Sequence, residues 1–210
     1  MEVNYNITDK ARNTKIEYRL LPLECENRLQ KEQVPQYIVI HEVTLGTHET
    51  PSNENMDFFE NLILTQGHNG RTIGYHYLCG DDKIYQFIPD TEAAHHTGSA
   101  FNNCSIGIER LVCEGLSTED ALYNQAKLTA TLMLKYDILP TGIITHKEAR
   151  IMDNREIKEC PGRLLAGMYG GMDKFKEVVK SCLVNKDLFY ELLAEKYAKE
   201  NGNILAKTNK

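Results

Sequence analysis

Tyr37-Ile38-Val39-Ile40-His41 is the stretch whose reading decides the fold. The run is short, rich in β-branched residues and bounded by Pro35, which suits a strand buried on both faces at the centre of a sheet. A histidine ending such a strand lies where α/β folds place functional groups, at the mouth beyond the strands' carboxyl ends. Taken alone, His41 reads as a hydrogen-bonded core histidine. It gains another meaning only from two stretches far downstream.

Gly142-Ile143-Ile144-Thr145 is a second strand-like run, and it delivers His146. Cys160 follows in a Cys160-Pro161-Gly162 corner, with Lys158 two residues before it. Imidazole and thiolate are the side chains zinc prefers, and a catalytic zinc takes three protein ligands and one water. His146 and Cys160 supply two, which makes His41 the candidate third.

Between these points the pattern alternates. Pro51-Ser52-Asn53 is a helix entry, after which Met56, Phe59, Leu62 and Ile63 recur at helical spacing. Gly67-His68-Asn69-Gly70 reads as a loop. Ile73–Cys79 and Ile84–Ile88 read as a β-hairpin about Gly80-Asp81-Asp82-Lys83, with His76 structural in mid-strand. After Pro89 a polar stretch runs to His95-His96-Thr97-Gly98, where at most one of the two adjacent histidines faces a given site. In the strand Cys104–Val112, parity puts Ser105, Gly107 and Glu109 on one face and Ile106, Ile108, Arg110 and Val112 on the other. Glu109 thus has open space beside it. Ser117-Thr118-Glu119-Asp120 matches a capping box, and the helix it opens carries Leu122, Ala126, Thr129, Ala130 and Met133 on one stripe as far as Tyr136. Strands alternating with helices predict an α/β fold, a central mixed β-sheet flanked by helices.

The ends differ in texture. Residues 1–34 are weakly patterned, with Leu20-Leu21-Pro22-Leu23 lying against the body. Residues 35–172 form the body, and 173–210 a C-terminal helical extension and tail. Two amphipathic stripes mark that extension: Phe175, Val178, Val179, Cys182 and Leu183, then Leu188, Phe189, Leu192, Leu193 and Tyr197. They are packed or partner-binding helices, a route to homo-oligomers.

At 210 residues, 41% apolar and 26% charged, the chain suits one domain with an appendage. A formal charge of −6 argues against a nucleic-acid partner, which needs a basic footprint. No apolar run is long enough to span a bilayer, and residues 1–30 lack the apolar core of a signal peptide. Cytoplasmic synthesis without a signal peptide is the expectation. Six scattered cysteines suit a reducing compartment.

His41, His96-Thr97-Gly98, Ser105-Ile106-Gly107-Ile108-Glu109, His146-Lys147-Glu148 and Lys158-Glu159-Cys160-Pro161-Gly162 occur in the order and spacing of a known family. In these motifs, over roughly residues 35–166, the chain resembles the zinc N-acetylmuramoyl-L-alanine amidases of the amidase-2 and peptidoglycan-recognition family, which includes phage endolysins and bacillus-type prophage and cell-wall amidases. The resemblance implies one zinc ion on His41, His146 and Cys160, with Glu109 as the carboxylate base. It implies Lys158 as a transition-state stabiliser, Tyr75 beside the metal, and His96, with Thr97 and Gly98, on the substrate side of the cleft. The substrate it implies is peptidoglycan, cut between the lactyl group of N-acetylmuramic acid and L-alanine. Such an endolysin or autolysin would reach the wall after holin-type or lytic release, or from a mother cell.

Two positions depart from the pattern. His95 stands where a tryptophan usually precedes the cleft histidine, and Glu42 follows the first ligand where a near-neutral residue is usual. Both are expected near the bound glycan or stem peptide. Two other readings compete with the amidase. A non-catalytic recognition module would bind walls without cutting them, and a cysteine hydrolase with Cys160 as nucleophile and His146 as base would ignore chelators.

Overall fold

The computed structural model describes residues 8–44, 55–65 and 72–183. Six strands form one sheet: β1 (Ile16–Tyr18), β2 (Tyr37–Val43), β3 (Tyr77–Cys79), β4 (Ile84–Gln86), β5 (Ser105–Leu111) and β6 (Ile143–Thr145), in the order β1-β4-β3-β5-β2-β6. Neighbours run parallel except for β3 and β4, so the sheet is mixed, as expected. The helices are α1 (Asp9–Arg12), α2 (Met56–Thr65), α3 (Thr118–Tyr136), α4 (His146–Met152), α5 (Gly162–Leu165) and α6 (Gly171–Cys182).

β2 is central, paired with β5 on one side and β6 on the other. Its alternation sorts the sheet's two faces. Ile38 and Ile40 join Ile106 and Ile108 beneath α3 and α6, in a core that includes Leu122, Ala126, Met133, Phe175 and Val179. Burying each of these larger side chains contributes roughly 1.5–3 kcal/mol. Val39 points the other way, to Phe101, Ile144 and Ala149. Further along the sheet α2 sets Met56, Phe59 and Ile63 against Leu78, Tyr85 and Leu111.

Several elements differ from the sequence pattern. β2 continues past His41 to Val43, so His41 lies inside the strand rather than at its last position. The hairpin is real but shorter: strand pairing begins at Tyr77 and ends at Gln86. β1 had no alternating pattern to announce it. It is held at the sheet's edge by β4, and Leu21, fully buried just beyond it, donates its N–H to the Phe87 carbonyl. The capping box on α3 is only half formed. Ser117 accepts from the Asp120 N–H, but the Asp120 carboxylate turns to Thr8, accepting from its N–H and hydroxyl at 2.9 Å each. A long-range partner outcompetes the local one.

α6 carries the first of the two C-terminal stripes and packs against α3, with Phe175 fully buried. The second stripe, the helix entry at 51–53 and the loop at 67–70 lie outside the described residues.

Candidate functional site

β2 and β5 run parallel with His41 in register with Glu109. Both side chains emerge on the face opposite α3. Gln125, buried on α3, donates to the backbone carbonyls of His41 and Ile108 at 2.9 Å each and clamps the two strands together. β6 then delivers His146 as the first residue of α4. Thr145 caps that helix by accepting from the Glu148 N–H at 3.0 Å, while the Glu148 carboxylate accepts from the Thr145 N–H at 2.6 Å. This reciprocal cap fixes where His146 points. Cys160 is anchored from the same helix, its carbonyl accepting from the Lys147 N–H at 3.2 Å.

Three ligand atoms converge. His41 Nδ1 lies 3.1 Å from His146 Nδ1 and 3.8 Å from Cys160 Sγ, and the whole set falls within 4.8 Å. All three residues are buried. Tetrahedral zinc with bonds of about 2.0–2.3 Å separates its ligands by roughly 3.3–3.5 Å. The spacing fits.

The proton positions fit as well. His146 Nε2 lies 3.1 Å from the Thr97 carbonyl, which can only accept, so the proton sits on Nε2 and Nδ1 keeps its lone pair. For His41 the argument passes through two residues. The Ser105 hydroxyl donates to the Phe101 carbonyl at 2.6 Å and therefore accepts from His96 Nε2 at 3.3 Å. His96 Nδ1 is then an acceptor, and takes the proton of His41 Nε2 at 2.9 Å. Both His41 and His146 aim bare Nδ1 lone pairs at one point, with a thiol beside them. That donor set suits a soft or borderline cation.

Charge is scarce around this point. Burial pushes the Cys160 thiol up to about 12, with the Glu109 carboxyl adding to the rise. Burial, then Lys158, brings His146 down to about 4. Burial foremost, with His146 and His96 beside it, holds His41 well below its usual value. The metal-free imidazoles are thus neutral, the form that binds a metal.

Glu109 Oε1 lies 3.8 Å from His41 Nδ1. Burial pushes its carboxyl up to about 8, Lys158 pulling down and Glu42 pushing further up. Among the described residues Glu109 Oε2 and the buried Tyr75 hydroxyl have no hydrogen-bond partner. Lys158 is exposed on the loop before Cys160. It borders a cleft of about 420 Å³ lined also by His95, His96, Thr97, Gly98, His146, Arg150 and Ile157.

The open space read beside Glu109 is filled at Gly107. A Cβ there would come within 2.6 Å of His96 Cγ and Nδ1, so Gly107 is what lets the His96 ring lie flat on β5. His96 and Thr97 line the cleft, yet His96 Nδ1 is spent on His41 and the Thr97 carbonyl on His146. Gly98 has φ +62° and closes the same loop. His95 lines the cleft. Glu42 does not: it points through the sheet to the α3 side, where Arg110 and Arg163 bind its carboxylate. Strand parity already put it opposite His41. His76 is structural, its Nδ1 accepting from the Gly107 N–H at 3.0 Å and its Nε2 donating to the Glu92 carbonyl at 2.8 Å. Two contributors carried no sequence signal. Asn102 accepts from the His96 and Thr97 N–H groups at 3.2 and 2.8 Å, and Arg150 donates to the Thr97 carbonyl at 3.0 Å.

Known proteins share this arrangement of sequence and fold. The chain is 28% identical over 163 residues to the N-acetylmuramoyl-L-alanine amidase XlyA of Bacillus subtilis (strain 168), covering 72% of this chain and 50% of that one. It is 27% identical over 151 residues to the amidase CwlH of the same organism, covering 69% and 54%. It therefore spans about half the length of the curated relatives it matches. The structure of the catalytic domain of XlyA superposes with a TM-score of 0.65 at 26% identity, covering 79% of this chain and 99% of that domain. A mutant endolysin from Bacillus subtilis gives 0.65 at 27% identity. Residues 30–163, with the converging histidines and cysteine inside them, match the profile of the N-acetylmuramoyl-L-alanine amidase family, and to that family this chain belongs.

Proposed function

We propose that the chain is a peptidoglycan hydrolase that cuts the amide between the lactyl group of N-acetylmuramic acid and L-alanine. The family is zinc-dependent. The observation that carries the reading to this chain is the pair of bare Nδ1 lone pairs 3.1 Å apart beside a thiol, next to a carboxylate with an unpartnered oxygen. His41, His146 and Cys160 would hold the ion as a neutral, neutral and anionic set. When bound, zinc supplies Lewis acidity toward the amide carbonyl and lowers the pKa of a water toward neutrality.

The rest falls to the chain's own groups. Glu109 Oε2 takes a proton from the attacking water and passes it to the leaving amine of L-alanine, a role for which burial raises the basicity of the carboxylate. The ammonium of Lys158 and the hydroxyl of Tyr75 are donors for the charge that develops on the carbonyl oxygen, where one well-placed donor is worth about 3 kcal/mol. His96 and Thr97 hold the ligand imidazoles in their tautomers, and with Gly98 form one wall of the substrate cleft. The partner is then the cell wall, reached after release from the cell that makes the protein. Among the described residues no helix is long and apolar enough to cross a membrane.

Digestion of purified sacculi with and without a zinc chelator, followed by mass spectrometry, tests this reading. Stem peptides beginning with L-alanine should appear, vanish on chelation and return with zinc. Tight sedimentation with several wall types and no cleavage would establish a recognition module instead.

A further inference from the structure

The residues beside the candidate ligands form a second cluster that the chemistry above does not use. Glu42 follows His41, Arg110 follows Glu109, and Arg163 lies in α5, three residues after Cys160. Their side chains meet on the α3 side of the sheet. Glu42 Oε1 accepts from Arg163 Nη1 at 2.9 Å, and Oε2 accepts from Arg110 Nη2. The Glu42 and Arg110 side chains are 0% exposed and that of Arg163 is 3% exposed. Arg110 also lies over the Tyr169 ring, 5.6 Å from its centroid.

Stability alone is a poor reason for such a triad, because apolar side chains of similar volume generally hold a core as well or better. What apolar groups lack is direction. One carboxylate with two fixed forks ties together β2, which carries His41, β5, which carries Glu109, and α5, which starts two residues after Cys160. Cys160 Sγ also lies 3.9 Å from the Glu42 carbonyl, so the same residue meets the thiol through its backbone.

We infer that Glu42, bridged by Arg110 and Arg163, is a positioning residue that holds Cys160 Sγ at metal-binding distance from the two histidine nitrogens. The inference rests on the ligand set proposed above. It predicts that loosening the triad weakens metal binding even where the fold survives.

The test measures zinc affinity by competition with a chromophoric chelator, and the thiolate-to-metal charge-transfer band of the cobalt-loaded protein. It compares the natural chain with Glu42→Asp, Arg163→Met and the charge-free triple variant Glu42→Leu, Arg110→Met, Arg163→Met. Urea unfolding of the metal-free proteins gives the folded fraction, so affinity is stated per folded molecule. The expected result is zinc binding weaker by about 10- to 100-fold, the usual effect of removing support behind a ligand, with an altered cobalt–thiolate band. The triple variant should show that loss at a metal-free stability equal to or above the natural chain's. Variants that lose stability while each folded molecule keeps natural affinity would make the triad a folding element and overturn the inference. A natural chain that binds no zinc, or whose cobalt form lacks a thiolate band, would instead refute the ligand set.

Discussion

His41 and His146 face each other through Nδ1 atoms 3.1 Å apart, and the hydrogen bonds behind each ring leave no proton between them. Two lone pairs at that distance repel unless a cation sits beyond both. A cation held by both removes that repulsion, and zinc should stabilise the fold by binding the native state alone. At free zinc about a thousandfold above its dissociation constant, linkage gives roughly 4 kcal/mol, or on the order of 10 °C in Tm for a domain of this size. Calorimetry with and without chelator measures the shift, and Cys160→Ala should abolish it. A full shift in that variant would remove Cys160 from the ligand set.

The tautomer of His41 is set from a distance. Ser105 spends its proton on the Phe101 carbonyl at 2.6 Å and so must accept from His96. Ser105→Ala leaves His96 free to hold its proton on either nitrogen, and a share of molecules then presents the wrong edge to His41. Zinc affinity should fall about tenfold, with a stability cost of only about 1 kcal/mol. Unchanged affinity would mean the Gly107 shelf alone fixes the ring.

Glu109→Gln keeps the shape of the carboxyl and removes its basicity. Zinc stoichiometry should stay at the natural value while turnover on muropeptides drops by about 10²–10⁴. The comparison needs both readouts, because Glu109 lies only 3.8 Å from His41 Nδ1. Near-natural turnover would exclude Glu109 as the base.

What could be read before any coordinates were residues whose neighbours lie close in sequence. Apolar strands, the α3 stripe and the face shared by Ser105, Gly107 and Glu109 all follow from period and parity. The three candidate ligand residues were legible because their types are few and each stands beside a strand or a Cys-Pro-Gly corner. Contacts between distant polar residues left no local trace. Asp120 looked like half of a capping box, yet it binds Thr8, 112 residues away. Glu42 was expected near substrate because it adjoins His41, although alternation along β2 turns it to the other face, where two arginines wait. β1 went unread because it takes its order from β4 rather than from its own three residues.

Gly107 shows how little room the site has. An alanine Cβ there would meet His96 Cγ and Nδ1 at 2.6 Å, ring atoms with no flexible end to swing aside. Gly107→Ala should cost about 1–3 kcal/mol by overpacking and displace His96 from His41, so that zinc affinity falls with stability. A variant with natural affinity and Tm would show that the loop carrying His96 yields freely.

His76 predicts an acid limb to the stability curve. Burial holds its pKa down to about 4, against the raising pull of the Glu92 carbonyl and of Asp90 and Glu92. Its Nδ1 accepts from the Gly107 N–H, so protonation would break that bond as well. The unfolded chain binds the proton more tightly than the folded one. The contribution is therefore fully present above about pH 6.5, declines as pH falls, and levels off below about 4, for a total of roughly 3 kcal/mol. His76→Gln can keep both hydrogen bonds without titrating. Urea unfolding of the metal-free protein across that window should show a slope smaller by about one proton, near 1.4 kcal/mol per pH unit where it is steepest. An unchanged slope would mean that the folded protein admits the proton at His76 as readily as the unfolded chain does.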